Sequence, residues 1–261
     1  MSFTMQRALA HARLSAIFLV VLVCAGCAAT PGRTRSDDPL VGVNRGIYKF
    51  NDTIDRAALK PVAKGYRAVT PHWFRTGVGN FFSNLTYPAT FVNQFLQGKG
   101  RLGFRDTGRF VLNSTIGLAG LLDVATPLGL TANDEDFGQT LAVWGVGSGP
   151  FINLPFFGPS SLRDAPSRVA DYFLGPLVYI DLPWETELGM RALDIVHARS
   201  ELLQLDATLQ RTYDPYAFIR DAWVQQREFA IYDGNPPPEV LEEEPADDQP
   251  AAAEPPAKPN P

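Results

Sequence analysis

The chain has 261 residues, 23 lysines and arginines against 28 aspartates and glutamates, and a formal net charge of −5. That balance, with no basic stripe along any segment, excludes a nucleic-acid binder. Two cysteines and three histidines are too few for a cysteine- or histidine-based metal cluster, and the length suits one sizeable domain.

Residues 1–26 read as a lipoprotein signal peptide. Arg7, His11 and Arg13 form a basic start, residues 14–23 are an almost unbroken apolar run, and Cys24-Ala25-Gly26-Cys27 follows. Small residues before a cut, after a short apolar run, are the mark of a secretory signal. Cleavage after Gly26 makes Cys27 the first residue, as in a bacterial lipobox, with Cys24 where leucine is usual. Cys24 then leaves with the signal and Cys27 is capped by lipid, so the mature chain has no thiol and no disulfide. A single acyl chain binds a membrane only marginally, whereas several hold stably. Ala28 rather than Asp behind the lipidated cysteine favours the outer membrane, by analogy with lipoprotein sorting. Residues 27–37 are a polar linker off the anchor.

Residues 38–235 read as one mostly α domain. Val43, Ile47, Phe50 and Ile54 recur at helical spacing. Thr70-Pro71 has the form of an N-cap with proline behind it. Phe74, Val78, Phe81 and Leu85 make a stripe expected to end before Pro88. Phe91, Val92, Phe95 and Leu96 make another, closed by Gly98. A polar helix follows from about Arg101 to Asn113. Residues 114–125 are apolar and glycine-rich and read as a mobile helical hairpin. Residues 145–159 are too dense in Gly and Pro for a long element, so an irregular crossing held by aromatics is expected. Leu188, Ala192, Ile195 and Leu202 mark a long helix after Pro183, and Asp214-Pro215 caps the last one. Residues 236–261 are rich in Pro, Glu, Asp and Ala and are expected to be disordered. No segment of the mature chain has the ~20 apolar residues a spanning helix needs. Many short amphipathic helices with abundant Phe suit a body lying in the membrane interface.

Motifs for catalysis fail one by one. In Gly145-Val146-Gly147-Ser148-Gly149, residue 150 is Pro and no strand precedes, so the dinucleotide fingerprint is broken, and Ser148 lacks the flanking glycines of a nucleophile elbow. Gly98-Lys99-Gly100 lacks the rest of a phosphate loop. Asn133-Asp134-Glu135-Asp136 lacks EF-hand spacing and reads as an acidic helix start. Neither an enzyme nor a cofactor is indicated.

Several motifs then fall in one order. They are Asp38-Pro39-Leu40, Asn44-Arg45, Tyr48-x-Phe50-Asn51, Phe95-Leu96-Gln97-Gly98, Arg109-Phe110-x-Leu112-Asn113-x-Thr115-x-Gly117, Leu154-Pro155-Phe156-x-Gly158, Leu162-Arg163-Asp164 and Asp214-Pro215-Tyr216. This run resembles the MlaA (VacJ) family of outer-membrane lipoproteins. The resemblance implies a ring of short amphipathic helices around an amphipathic channel, lipid-anchored on the periplasmic side of the outer membrane. It further implies retrograde transport of mislocalised phospholipid, with trimeric porins and a periplasmic lipid carrier as partners. Candidate residues follow from that expectation. Phe50, Asn51 and Asp52 are candidates for the channel wall. Gly117, Leu118, Gly120, Leu121 and Leu122 are candidates for a gate, and Arg191 for a phosphate contact. The competing expectation is a lipoprotein that scaffolds porins without carrying lipid.

Overall fold

The computed structural model describes residues 38–237. The expected signal peptide, the expected lipidation site Cys27 with its linker, and all of the expected disordered tail but residues 236 and 237 lie outside the described residues.

Helix α1 (Val41–Ile54) runs through a five-residue π-helical segment (Asp55–Leu59) into α2 (Lys60–Val69). A π segment inside an α-helix widens one turn and re-aims the side chains that follow. Here Asp55, its first residue, receives a fork from Arg199, with Nε–Oδ1 2.7 Å and Nη2–Oδ2 2.9 Å. Next come α3 (His72–Leu96) and α4 (Gly100–Thr115), which folds back along α3. After a 3₁₀ turn (Thr126–Leu128) follow α5 (Phe137–Val143), strands β1 (Phe151–Leu154) and β2 (Gly158–Ser161), and α6 (Asp164–Leu174). The described residues end with a 3₁₀ turn (Pro176–Tyr179), α7 (Trp184–Glu201), another 3₁₀ turn (Leu202–Leu205), α8 (Asp206–Arg211) and α9 (Pro215–Ile231).

The packing order closes on itself. α1 packs on β1, β1 pairs with β2, and β2 meets α6. α6 packs on α3, α3 on α7, and α7 on α2, which continues back into α1. This is the ring-like, mostly helical arrangement expected from the sequence.

Three local expectations need correction. Pro88 does not end its helix, because α3 is continuous from His72 to Leu96. Proline removes one helical hydrogen bond, but α4, α6 and α7 all pack against this helix, and those contacts offset the loss. Thr70 does not cap α3. Its hydroxyl donates back to the Tyr66 carbonyl, closing α2 instead. The crossing at residues 145–159 holds an antiparallel hairpin, with Phe151 opposite Ser161 and Leu154 opposite Gly158.

That hairpin is held by two asparagines seven residues apart on one face of α1. Asn44 donates to the Phe151 carbonyl (3.0 Å) and accepts from the Asn153 amide (2.8 Å). Asn51 donates to the Leu154 carbonyl (2.9 Å) and accepts from the Phe156 amide (2.8 Å). Each side-chain amide does what a peptide group of a third strand would do. Asn44 is 1% exposed, so its loss strands buried backbone groups. Asn44→Ala is expected to cost about 2–3 kcal/mol, because each unsatisfied buried polar group costs roughly 1–3 kcal/mol. Chemical unfolding in detergent measures this, and an unchanged midpoint would show the clamp to be idle.

Burial runs opposite to that of a water-soluble bundle. Glycines aside, seven apolar residues are buried among the described residues, against eighteen polar or charged ones. Large apolar side chains point out: Val69 is 80% exposed, Trp73 74% and Trp184 69%. Soluble domains bury Ile, Leu and Phe and expose their charges. An apolar rim this extensive marks a surface that is covered by something apolar. No helix among the described residues is long and apolar enough to cross a membrane.

Candidate functional site

A cavity of about 280 Å³ opens between α3, α6 with its 3₁₀ turn, and α7. Phe82, Leu85 and Ala89 of α3, Leu177 and Val178 of the turn and Met190 of α7 make its apolar wall. An apolar cavity of ~150 Å³ holds a benzene ring, so this one has room for a length of hydrocarbon chain.

Its polar rim comes from α6 and α7. Arg191 Nη2 lies 2.7 Å from Glu187, one turn back, and 3.2 Å from the Tyr172 hydroxyl, and the guanidinium stacks over the Tyr172 ring at 5.2 Å. Hydrogen bonding to Glu187 raises the Arg191 pKa, so it stays charged. Asp171 accepts from Asn93 Nδ2 (2.9 Å) and from the Phe137 amide (3.0 Å), which ties α6 to α3 and to the start of α5. Burial pushes the Asp171 carboxyl up to about 6, against those hydrogen bonds. Desolvation raises Asp194 as well, with His197 acting the other way.

The segment after α4 differs from the expected helical hairpin. Residues 116–122 form a tight turn in which Leu118 (φ 55°), Ala119 (φ 58°) and Gly120 (φ 92°) are all left-handed. Its base is fixed. Asn113 Oδ1 accepts from the Val124 and Ala125 amides at 3.0 Å each. Asp123 accepts from Arg109 (2.7 Å) and Thr126 (2.6 Å). Burial alone would raise the Asp123 carboxyl, but hydrogen bonds from Thr126 and Arg109 outweigh it and hold it at about 2. The tip is different: Ile116, Leu118, Leu121 and Leu122 are exposed. Asn80 of α3 donates to the Leu121 carbonyl (3.3 Å), so the tip lies along the helix that also walls the cavity.

The sequence candidates thus fall in three places. Arg191 is on the cavity rim. Gly117 and Gly120 are buried in the turn, whose tip presents Leu118, Leu121 and Leu122. Phe50 and Asn51 meet at the hairpin, where the Phe50 ring stands edge-on to Phe156 at 5.3 Å, while Asp52 pairs with Arg56 on the next turn of helix. Sequence reasoning missed Asp171, Tyr172 and Asp194. Asp194 stands three residues after Arg191, a spacing that puts both on one helix face, but nothing in the sequence says that this face borders a cavity. Groups of His, Cys, Asp and Glu that could hold a metal are absent among the described residues.

A closed circuit of helices with polar groups inside, apolar groups outside and a hydrocarbon-sized cavity with a charged rim defines a protein that handles amphiphiles at a membrane. The family model for "MlaA lipoprotein" matches residues 36–230, and the chain belongs to that family. It is 38% identical over 233 residues to the intermembrane phospholipid transport system lipoprotein MlaA of Escherichia coli K12, covering 87% of this chain and 92% of the relative. The protein of the same name from Shigella flexneri matches at the same identity and coverage. A structure solved under the description "Structural basis for maintenance of bacterial outer membrane lipid asymmetry" superposes with a TM-score of 0.67 at 37% identity, over 75% of this chain and 99% of that one.

Proposed function

We propose that this chain is an outer-membrane lipoprotein of intermembrane phospholipid transport. It takes mislocalised phospholipid from the outer leaflet and passes it to a soluble periplasmic carrier, so preserving lipid asymmetry. The observation that carries this reading is the inverted burial: the apolar rim suits the hydrocarbon of a leaflet, and the polar interior suits a headgroup in transit. Moving a charged headgroup through hydrocarbon unaided is costly, and a polar-lined path through protein removes much of that cost. The names carried by the E. coli and S. flexneri relatives support the same reading.

The anchor is acylated Cys27, and the partners are trimeric porins and the periplasmic carrier. The chain acts as a passive conduit: its sequence carries no nucleotide-binding motif, so partners supply any energy. The turn at residues 116–122 acts as the gate, its exposed apolar tip moving on a fixed base. Leu118→Asn tests this with little strain, because Asn tolerates a left-handed backbone. Surface-exposed phospholipid is expected to change about twofold or more at unchanged protein abundance, a modest shift of the sort that gating steps produce. An unchanged lipid level would remove the gate.

The whole reading is tested by deleting the gene and labelling surface-exposed phospholipid from outside the cell. The level is expected to rise and to return with the wild-type gene but not with a form lacking Cys27. A deletion strain with normal surface lipid would refute the proposal.

A further inference from the structure

Arg191 and Asp194 both line the cavity from α7. At a spacing of three residues their side chains leave the same helix face, where opposite charges ordinarily satisfy one another. Here they do not. Arg191 turns back to Glu187 through Nε and Nη2 and across to Tyr172 through Nη2. Its Nη1 is used by none of these contacts. Among the described residues the Asp194 carboxylate has no hydrogen-bond or ion-pair partner, and His197 is the one charge acting on it. Asp171 also borders the cavity, but its oxygens are taken by Asn93 and the Phe137 amide. The rim therefore presents one N–H donor group and one carboxylate, three residues apart on α7, each with capacity for an outside partner.

A headgroup with phosphate and ammonium on one short arm matches that frame. A purely anionic headgroup does not. It would gain Arg191, already paired with Glu187, but would face the Asp171 and Asp194 carboxylates with no cation of its own to offer them.

Resting on the phospholipid-transport reading above, we propose that the cavity between α3, α6 and α7 selects lipids with a zwitterionic, ammonium-bearing headgroup over anionic ones. Arg191 Nη1 donates to the phosphate, Asp194 accepts from the ammonium, and the wall formed by Phe82, Leu85 and Met190 receives acyl chain.

The test uses the full mature chain in detergent, equilibrated with vesicles of equal phosphatidylethanolamine and phosphatidylglycerol, with retained lipid counted by native mass spectrometry. Wild type is expected to retain phosphatidylethanolamine in about fivefold excess, a charge-assisted hydrogen bond discounted for its partial exposure to water. Asp194→Asn is expected to bring the ratio down to that of the vesicles, and Asp194→Glu, which keeps the carboxylate, to preserve the excess. An Asp194→Asn variant with the wild-type ratio overturns the selectivity while leaving the transport reading intact. Wild-type protein that retains neither lipid overturns both.

Discussion

Replacing Gly120 by alanine is expected to collapse the turn after α4 and to lower stability by about 4 kcal/mol, the sum of a left-handed backbone penalty and an overpacking cost. The backbone at Gly120 has φ 92°, a region that L side chains rarely adopt. A Cβ there would sit well inside van der Waals contact of Asn84 Cβ and 2.8 Å from Asn84 Cγ. Asn84 cannot swing away cheaply, because its Nδ2 donates to Ser114 Oγ at 2.8 Å. Gly117 is as constrained for a different reason. Its backbone is ordinary, but a Cβ would press into the Leu122 carbonyl and lie 2.5 Å from the Asn113 carbonyl oxygen. Both obstacles are backbone, so neither can rotate aside. Gly46 on α1 is the control, with nothing within 4 Å of its virtual Cβ. Gly46→Ala should stabilise by about 0.5–1 kcal/mol through helix propensity alone. Melting temperature and abundance in membranes report all three. Gly120→Ala at wild-type stability would contradict the geometry of the turn. These two glycines shape the gate candidate, and side chains on its tip are the proper probes of its motion.

Arg227→Met is expected to cost about 2–3 kcal/mol, less than the usual penalty for stranding a buried anion, because Asp164 keeps Arg163 and Asp136 is partly exposed. Arg227 of α9 reaches Asp136 at the start of α5 through Nη1 (2.5 Å) and Nη2 (2.7 Å). It reaches Asp164 at the start of α6 through Nη2 (2.9 Å) and Nε (3.1 Å). One guanidinium thus joins three helices, and its side chain is 13% exposed. Asp164 also takes Arg163 Nε at 2.8 Å and the Ser161 hydroxyl at 2.8 Å. Burial alone would raise the Asp164 pKa, but Arg163 and then Arg227 outweigh it and lower it. The sign follows. A carboxyl lowered in the folded state contributes stability above its ordinary value of 3.8, and that contribution is lost as pH falls through the lower folded value. Wild type should therefore weaken in acid below about pH 4, and Arg227→Met should show a shallower acid slope from a lower plateau. Lysine is a poor replacement, since one ammonium cannot fork to two carboxylates. Arg227→Met with a wild-type midpoint at neutral pH would show that the cluster does not hold the helices together.

What could be read from the sequence was local. Asp214-Pro215 starts α9 as expected, with Asp214 Oδ1 accepting from the Ala217 amide at 3.2 Å. Asp136 caps α5 in the same way, accepting from Gln139 at 2.8 Å, as expected of an acidic helix start. Gly175-Pro176 separates α6 from a short 3₁₀ turn. Each of these depends on side chains within four residues of the backbone they serve. The misses depended on distant partners. Strands of four residues have too little alternation to stand out, and β1 is held by Asn44 and Asn51, more than a hundred residues earlier in the chain. The continuity of α3 through Pro88 is enforced by helices packed from three other parts of the sequence. The left-handed run at Leu118, Ala119 and Gly120 includes two residues with no special liking for that backbone, so composition gave no sign of it. Arg191 was legible as a lone cation. That it shares the edge of an apolar cavity with an unpaired carboxylate, Asp194, required the fold.

The most direct measurement concerns where the apolar rim lies. Protein beginning at Ala28, without Cys27 and the anchor proposed there, can be mixed with vesicles of brominated lipid and its tryptophan fluorescence recorded. Trp73, Trp144 and Trp184 are exposed on the rim, so strong quenching by bromines on the acyl chains is expected, together with a need for detergent when vesicles are absent. Unquenched fluorescence from a protein that stays monomeric in plain buffer would contradict immersion and the lipid path with it.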